Sequence, residues 1–192
     1  MKKTLLLLLF ISSYLYSNAQ ADSIGIYMKN GDDIQKIEPI KYTQSKVNAL
    51  GSALTMGIAG TSIKTVFRGS SSENKANNAT EFYFYYPSPF DPYMAMQYYM
   101  FSPSYSPKNF ILAKFNAKKK TRELLVGKVN IYVGTTLGIS DDIDAKLITT
   151  KVRDGVYSVI IDGTLEPGEY CFMFDGPSGS GAYSSVFDFT IK

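Results

Sequence analysis

The chain carries twenty basic and seventeen acidic residues, but no histidine and a single cysteine, and this inventory sets the chemistry open to it. Without histidine there is no Ser-His-Asp or Cys-His relay, no imidazole ligand for zinc or iron, and no imidazole pH switch. Cys171 lies between Tyr170 and Phe172 in an apolar run, with no basic neighbour in sequence to lower its pKa. It reads as a buried small hydrophobe rather than a reactive thiol. Carboxylate catalysis, Ser-Lys catalysis and oxygen-ligated calcium survive this filter, and no cofactor is expected.

Three groups of residues are candidates for a site. Asp141, Asp142 and Asp144 cluster in one loop and offer the oxygen ligands that calcium prefers, with a solvated acidic turn as the blander alternative. Glu81, Glu123 and Glu169 lie in or beside apolar strand-like runs, where a buried acid needs a partner; Arg122 or Arg153 can supply one. Two such acids at a set separation would suit glycoside hydrolysis, whereas a structural ion pair is the reading preferred here. The third group is aromatic. The segment 88–108 holds four prolines and three methionines, with Tyr93, Met96, Tyr98, Tyr99, Phe101 and Tyr105 among its apolar side chains. Tyrosine rings stack on sugars or pack on protein surfaces, and methionine adapts to irregular ones. A long loop with few charges is also where binding residues concentrate, so this segment is a candidate binding surface; the alternative is that it folds back to complete the core.

The elements that must hold these residues are β-strands. Tyrosine and phenylalanine are abundant, and Gly and Pro punctuate short apolar runs. Asn30-Gly31 and Asp154-Gly155 are strong hairpin signals. In Glu81–Tyr86, Phe82, Phe84 and Tyr86 share one face and Tyr83 and Tyr85 the other, which predicts a strand that is central or covered on both sides. Val47, Leu50, Leu54 and Ile58 recur at helical steps, predicting a short helix near 47–59. The expected fold is mainly β: an antiparallel, Ig-like β-sandwich of about nine or ten strands, with that one short helix and a long loop at 88–108.

Residues 1–21 read as a cleavable signal peptide. Met1-Lys2-Lys3 is a positive start, Leu5–Ile11 is an apolar run too short to span a bilayer, and Ala19-Gln20-Ala21 is a small-x-small cleavage pattern. Cutting after Ala21 is favoured, and a cut after Ala19 also fits. No cysteine follows the apolar run, so a lipoprotein anchor is not expected. Residues 22–192 then form a single domain with no second membrane-length segment, in the periplasm or outside the cell. Lys2 and Lys3 account for most of the net charge of +3, so the remainder is nearly neutral and has no electrostatic reason to bind nucleic acid.

The phrases Glu81-Phe82-Tyr83-Phe84-Tyr85, Arg122-Glu123, Leu165-Glu166-Pro167-Gly168-Glu169-Tyr170 and Phe187-Asp188-Phe189 occur in that order. The ordering resembles a family of exported bacterial β-sandwich proteins of unknown function. Thr80 stands where a proline would be typical of that pattern. The resemblance implies an exported sandwich and carries no catalytic residue. The functional expectation is therefore a non-catalytic exported protein that binds a protein or glycan partner at the cell envelope. A glycan-directed, carboxylate-dependent hydrolase and a structural subunit of an envelope assembly are the alternatives.

Overall fold

The computed structural model describes residues 23–48, 61–98, 106–130, 134–137, 143, 145–174 and 185–192. In chain order its strands are β1 (Gly25–Asn30), β2 (Asp33–Ile37), β3 (Ile40–Lys41), β4 (Gln44–Asn48), β5 (Thr61–Arg68), β6 (Lys75–Ala76), β7 (Glu81–Tyr85), β8 (Phe110–Lys114), β9 (Asn116–Ala117), β10 (Thr121–Asn130), β11 (Gly134–Leu137), β12 (Lys146–Arg153), β13 (Val156–Asp162), β14 (Gly168–Phe174) and β15 (Ser185–Ile191). A helix, α1 (Pro92–Tyr98), and a 3-10 turn (Pro107–Asn109) stand between β7 and β8.

The strands form three sheets. The first runs β12-β13-β7-β1-β2, the second β11-β10-β5-β4 with β9 beside β10, and the third β3-β15-β14-β8 with β6 beside β15. Every pairing is antiparallel except β6 with β15. The fold is mainly β and of sandwich type, as expected, with more strands than the sequence suggests. β3, β6 and β9 are two-residue pairings, too short to leave a periodic signature.

Two cores explain how the sheets stack. Phe82, Phe84, Ile26, Met28 and Val159 of the first sheet pack on Phe110, Tyr170, Phe172, Phe187 and Phe189 of the third. Edge-on ring contacts join these layers, Phe82 to Phe172 at 4.8 Å and Phe84 to Phe110 at 5.2 Å. Such aromatic pairs add to simple area burial. The opposite face of the third sheet, with Ala113, Cys171, Met173 and Val186, packs on Phe67, Leu124 and Val126 of the second. The third sheet is thus the middle layer. β14 shows it most plainly: alternate side chains point to opposite faces, and all six residues after Gly168 are buried.

Several expectations need correction. β7 is central within its sheet, as expected, and keeps Tyr83 and Tyr85 half-buried on an outer face; the strand covered on both sides is β14. Val47 and Asn48 belong to β4, not to a helix, because they pair with Ile63 and Ser62 of β5; the rest of the expected helix lies outside the described residues. The segment expected as a loop at 88–108 contains α1 and the 3-10 turn. Hairpin β12-β13 turns at Asp154-Gly155 as expected, whereas β1-β2 closes on the pair Asn30–Asp33 and turns at Gly31-Asp32, one residue later than the Asn-Gly signal. Gly31 at φ +62° and Gly155 at φ +73° supply the left-handed backbone both turns need.

Candidate functional site

The α1 segment begins with a local capping signal. The Asp91 carboxylate accepts the backbone N–H groups of Tyr93 (2.8 Å) and Met94 (3.3 Å), and Pro92 takes the first helical position, where no amide is needed. Ala95 turns into the core. Phe90, Tyr93 and Met94 turn outward, with Tyr93 67 % exposed. Met96 and Tyr98 lie on the helix, but their side chains are outside the described residues, as are Tyr99, Phe101 and Tyr105 altogether. Beside Phe90 a cleft of about 270 Å³ opens between this segment and the β12-β13 hairpin, with Tyr86 and Tyr157 at its base. The Lys151 ammonium meets the Asp154 carboxylate at 2.7 Å on its rim; each holds the other charged, raising the lysine pKa and lowering that of the aspartate.

The acids singled out in the sequence go to three different places. Glu169 and Asp188 come together between the middle and second sheets, where Arg122 of β10 donates from one guanidinium nitrogen to both, reaching Glu169 at 3.4 Å. Its other terminal nitrogen donates to the Arg68 carbonyl at 3.3 Å, and the guanidinium lies over the Phe115 ring at 5.1 Å. All three charged side chains are buried. Glu169 also accepts the Ser72 amide (2.7 Å) and the Thr190 hydroxyl (2.8 Å), so both of its oxygens are occupied. A cleft of about 500 Å³ leads from the surface to Arg122 and Asp188 past Lys36, Arg68, Ser72 and Asn74. The two acids share one cation, and further donors fill Glu169, the arrangement of a structural network.

Glu123 lies on the outer face of the second sheet, bound by Lys64 at 3.3 Å and Lys46 at 3.5 Å. Those lysines are directly opposite each other across β4 and β5, and Glu123 offsets the repulsion such a like-charged pair creates. Partial burial raises the pKa of Glu123, but the two ammonium groups outweigh it and leave the carboxyl below its ordinary value. Glu81 accepts the Ser158 hydroxyl at 2.6 Å. Burial and then the neighbouring Glu81 raise the pKa of Tyr83. Arg153, the other cation considered for these acids, lies instead over the Tyr85 ring at 6.0 Å.

Ser-Lys chemistry finds no support at Ser72. Lys75 Nζ donates to the Ser72 backbone carbonyl and to the Thr190 hydroxyl, while the Ser72 hydroxyl donates to the Asp188 carbonyl at 3.1 Å. Cys171 is fully buried, and burial followed by the charge of Asp188 pushes its pKa well above the ordinary thiol value, with Arg122 opposing. Asp141, Asp142 and Asp144 lie outside the described residues, as do Ala19 and Ala21. Among the described residues no three His, Cys, Asp or Glu side chains are placed to hold a metal, and no helix is long and apolar enough to cross a membrane.

Sequence reasoning missed a groove of about 550 Å³ at the margin of the sandwich, between β8 and β12. Its residues sit in ordinary apolar runs, and only the pairing order shows that both strands are sheet margins. No family model, curated protein or solved structure matches the chain.

Proposed function

We propose that this chain is an exported, non-catalytic β-sandwich protein that binds a protein or glycan partner at the cell envelope. The observation that carries the binding role is the outward display of Phe90, Tyr93 and Met94 on a segment capped by Asp91 and anchored by Ala95. Apolar and aromatic side chains held out on a positioned element give contact area at little entropic cost. Export is supported by the leader-like residues 1–21. The hydrolase alternative is weakened by the way Glu169 and Asp188 are both committed to Arg122.

The test is the triple variant Phe90→Ser, Tyr93→Ser, Met94→Ser, compared with the parent on a glycan array and on immobilised envelope proteins. The expected result is an unchanged melting temperature with binding lost. Binding that survives the triple substitution removes this surface from the proposal. Export is checked by N-terminal sequencing of the product recovered outside the cytoplasm, expected to begin at Asp22 or Gln20.

A further inference from the structure

The geometry points to the groove between β8 and β12 as an acceptor for an extended, acid-flanked peptide segment of a partner protein, added as a strand along β8. Among the described residues β8 pairs only with β14, and β12 only with β13, so each is the last strand of its sheet. Phe110, Ile111 and Leu112 all line the groove. Consecutive strand residues point to opposite faces, so a groove that touches all three runs along the edge of β8 rather than over either face.

The backbone polarity of that edge follows from one hydrogen bond. The Phe115 amide donates to the Glu169 carbonyl at 2.9 Å, towards β14. Antiparallel alternation then turns Ile111 and Ala113 towards β14 as well, and Leu112 and Phe110 away from it. The Phe110 amide is taken by the Pro107 carbonyl in the 3-10 turn. The N–H and C=O of Leu112 therefore form the ladder position that β8 offers to an incoming strand.

The side chains define what that strand must carry. The groove is apolar along Leu112, Ile143 and Leu147, each half-buried against the first core. Exposed Lys108 and Lys146 sit on its lining, and among the described residues no acid does. Strand addition supplies main-chain hydrogen bonds, and side-chain pockets supply selectivity. An apolar-alternating segment with carboxylates at its ends matches both the pockets and the two cations. Phe90, Tyr93 and Met94 do not line the groove, so it stands or falls apart from the surface proposed above.

The test uses the full chain and an array of synthetic nine-residue peptides that alternate Val, Ile or Tyr with Thr, each made with Glu, Lys or uncharged ends, read by fluorescence anisotropy. Glu-ended peptides are expected to bind at least tenfold more tightly than their Lys-ended counterparts. The charge reversal Lys108→Glu with Lys146→Glu leaves every ladder intact and should invert that preference. Leu112→Pro removes the edge-facing amide together with the Leu112 side chain and should abolish binding of all peptides, Leu112→Ala removes the side chain alone and should only weaken binding, and an inserted proline at the centre of a peptide should abolish binding from the partner's side. Failure of every peptide to bind, indifference to end charge, or binding untouched by the charge reversal and by Leu112→Pro overturns the proposal. Binding of an oligosaccharide that Leu112→Pro leaves intact overturns it in favour of a glycan.

Discussion

Replacing Arg122 by methionine tests whether the cluster between the middle and second sheets is structural. The substitution keeps an apolar stem of similar length against Phe115 but removes the charge that Glu169 and Asp188 share. Glu169 would keep the Ser72 amide and the Thr190 hydroxyl, both neutral donors. Two buried carboxylates would then face each other without a cation. Removing one partner from a buried ion pair costs about 3–5 kcal/mol, a large part of a typical domain stability of about 5–15 kcal/mol. With a urea slope of roughly 2 kcal/mol per molar for a domain of this size, the unfolding midpoint should fall by about 2 M. The triple variant Arg122→Met, Glu169→Gln, Asp188→Asn strands no charge and should recover most of that loss. A midpoint for Arg122→Met within about 0.5 M of the parent, or a triple variant no better than the single one, refutes the reasoning.

Gly155→Ala should lower stability by at least about 1–2 kcal/mol, because φ +73° is a left-handed conformation and the new Cβ would meet the Tyr86 carbonyl oxygen at 2.7 Å; a thermal melt measures it, and an unchanged melting temperature would show that the hairpin can relax. Lys64→Met should cost about 0.5 kcal/mol near neutral pH by weakening the Glu123 pair. Because the folded pKa of Glu123 is lowered, its contribution is present above the unfolded carboxylate value and lost as pH falls through the folded one, so parent and variant should converge in acid. Stability curves that stay parallel from neutral to acidic pH would contradict this. Cys171 should resist thiol reagents in the native protein and react only on unfolding, in step with the loss of β structure; rapid labelling under native conditions would deny its burial. Tyr170→Phe should cost about 1 kcal/mol by removing the hydroxyl that donates to the Glu166 carbonyl at 2.9 Å, measured by urea titration.

Much of the fold was legible because it rests on short-range patterns. The Asp154-Gly155 turn, the alternating aromatics of β7 and the apolar run of β14 each announce a strand or hairpin within ten residues. The partnership of Glu169 with Arg122 was also foreseeable, since an acid in an apolar strand must find a cation. That Asp188 joins them was not, because its pairing opposite Cys171 depends on how β15 docks on β14. α1 was legible in principle: Asp91-Pro92 is a start signal for a helix, but the surrounding prolines and aromatics spoke for a loop. At Val47 the helical signal gives way to pairing with Ile63 of β5, tertiary context prevailing over local propensity.

The middle position of the third sheet limits where the proposed binding can occur. Along β14 the residues divide between two cores: Tyr170 and Phe172 towards the first sheet, Cys171 and Met173 towards the second. Glu169 follows the same alternation and enters the second interface, where an unpaired carboxylate would be costly; Arg122 and the backbone around Ser72 answer that need. The phrase Pro167-Gly168-Glu169-Tyr170 is thereby accounted for by packing alone, with Tyr170 stacked on Phe189 at 6.0 Å and its hydroxyl tied back to the preceding turn. A layer buried on both faces can present only its margins to a partner. One margin of this layer is taken by β3 and β6, and the other is β8, bordered by the groove. Glu169, Asp188 and Arg122 are consumed by holding the layers together, which leaves the outward Phe90, Tyr93 and Met94 and the backbone of one edge strand to the proposed recognition.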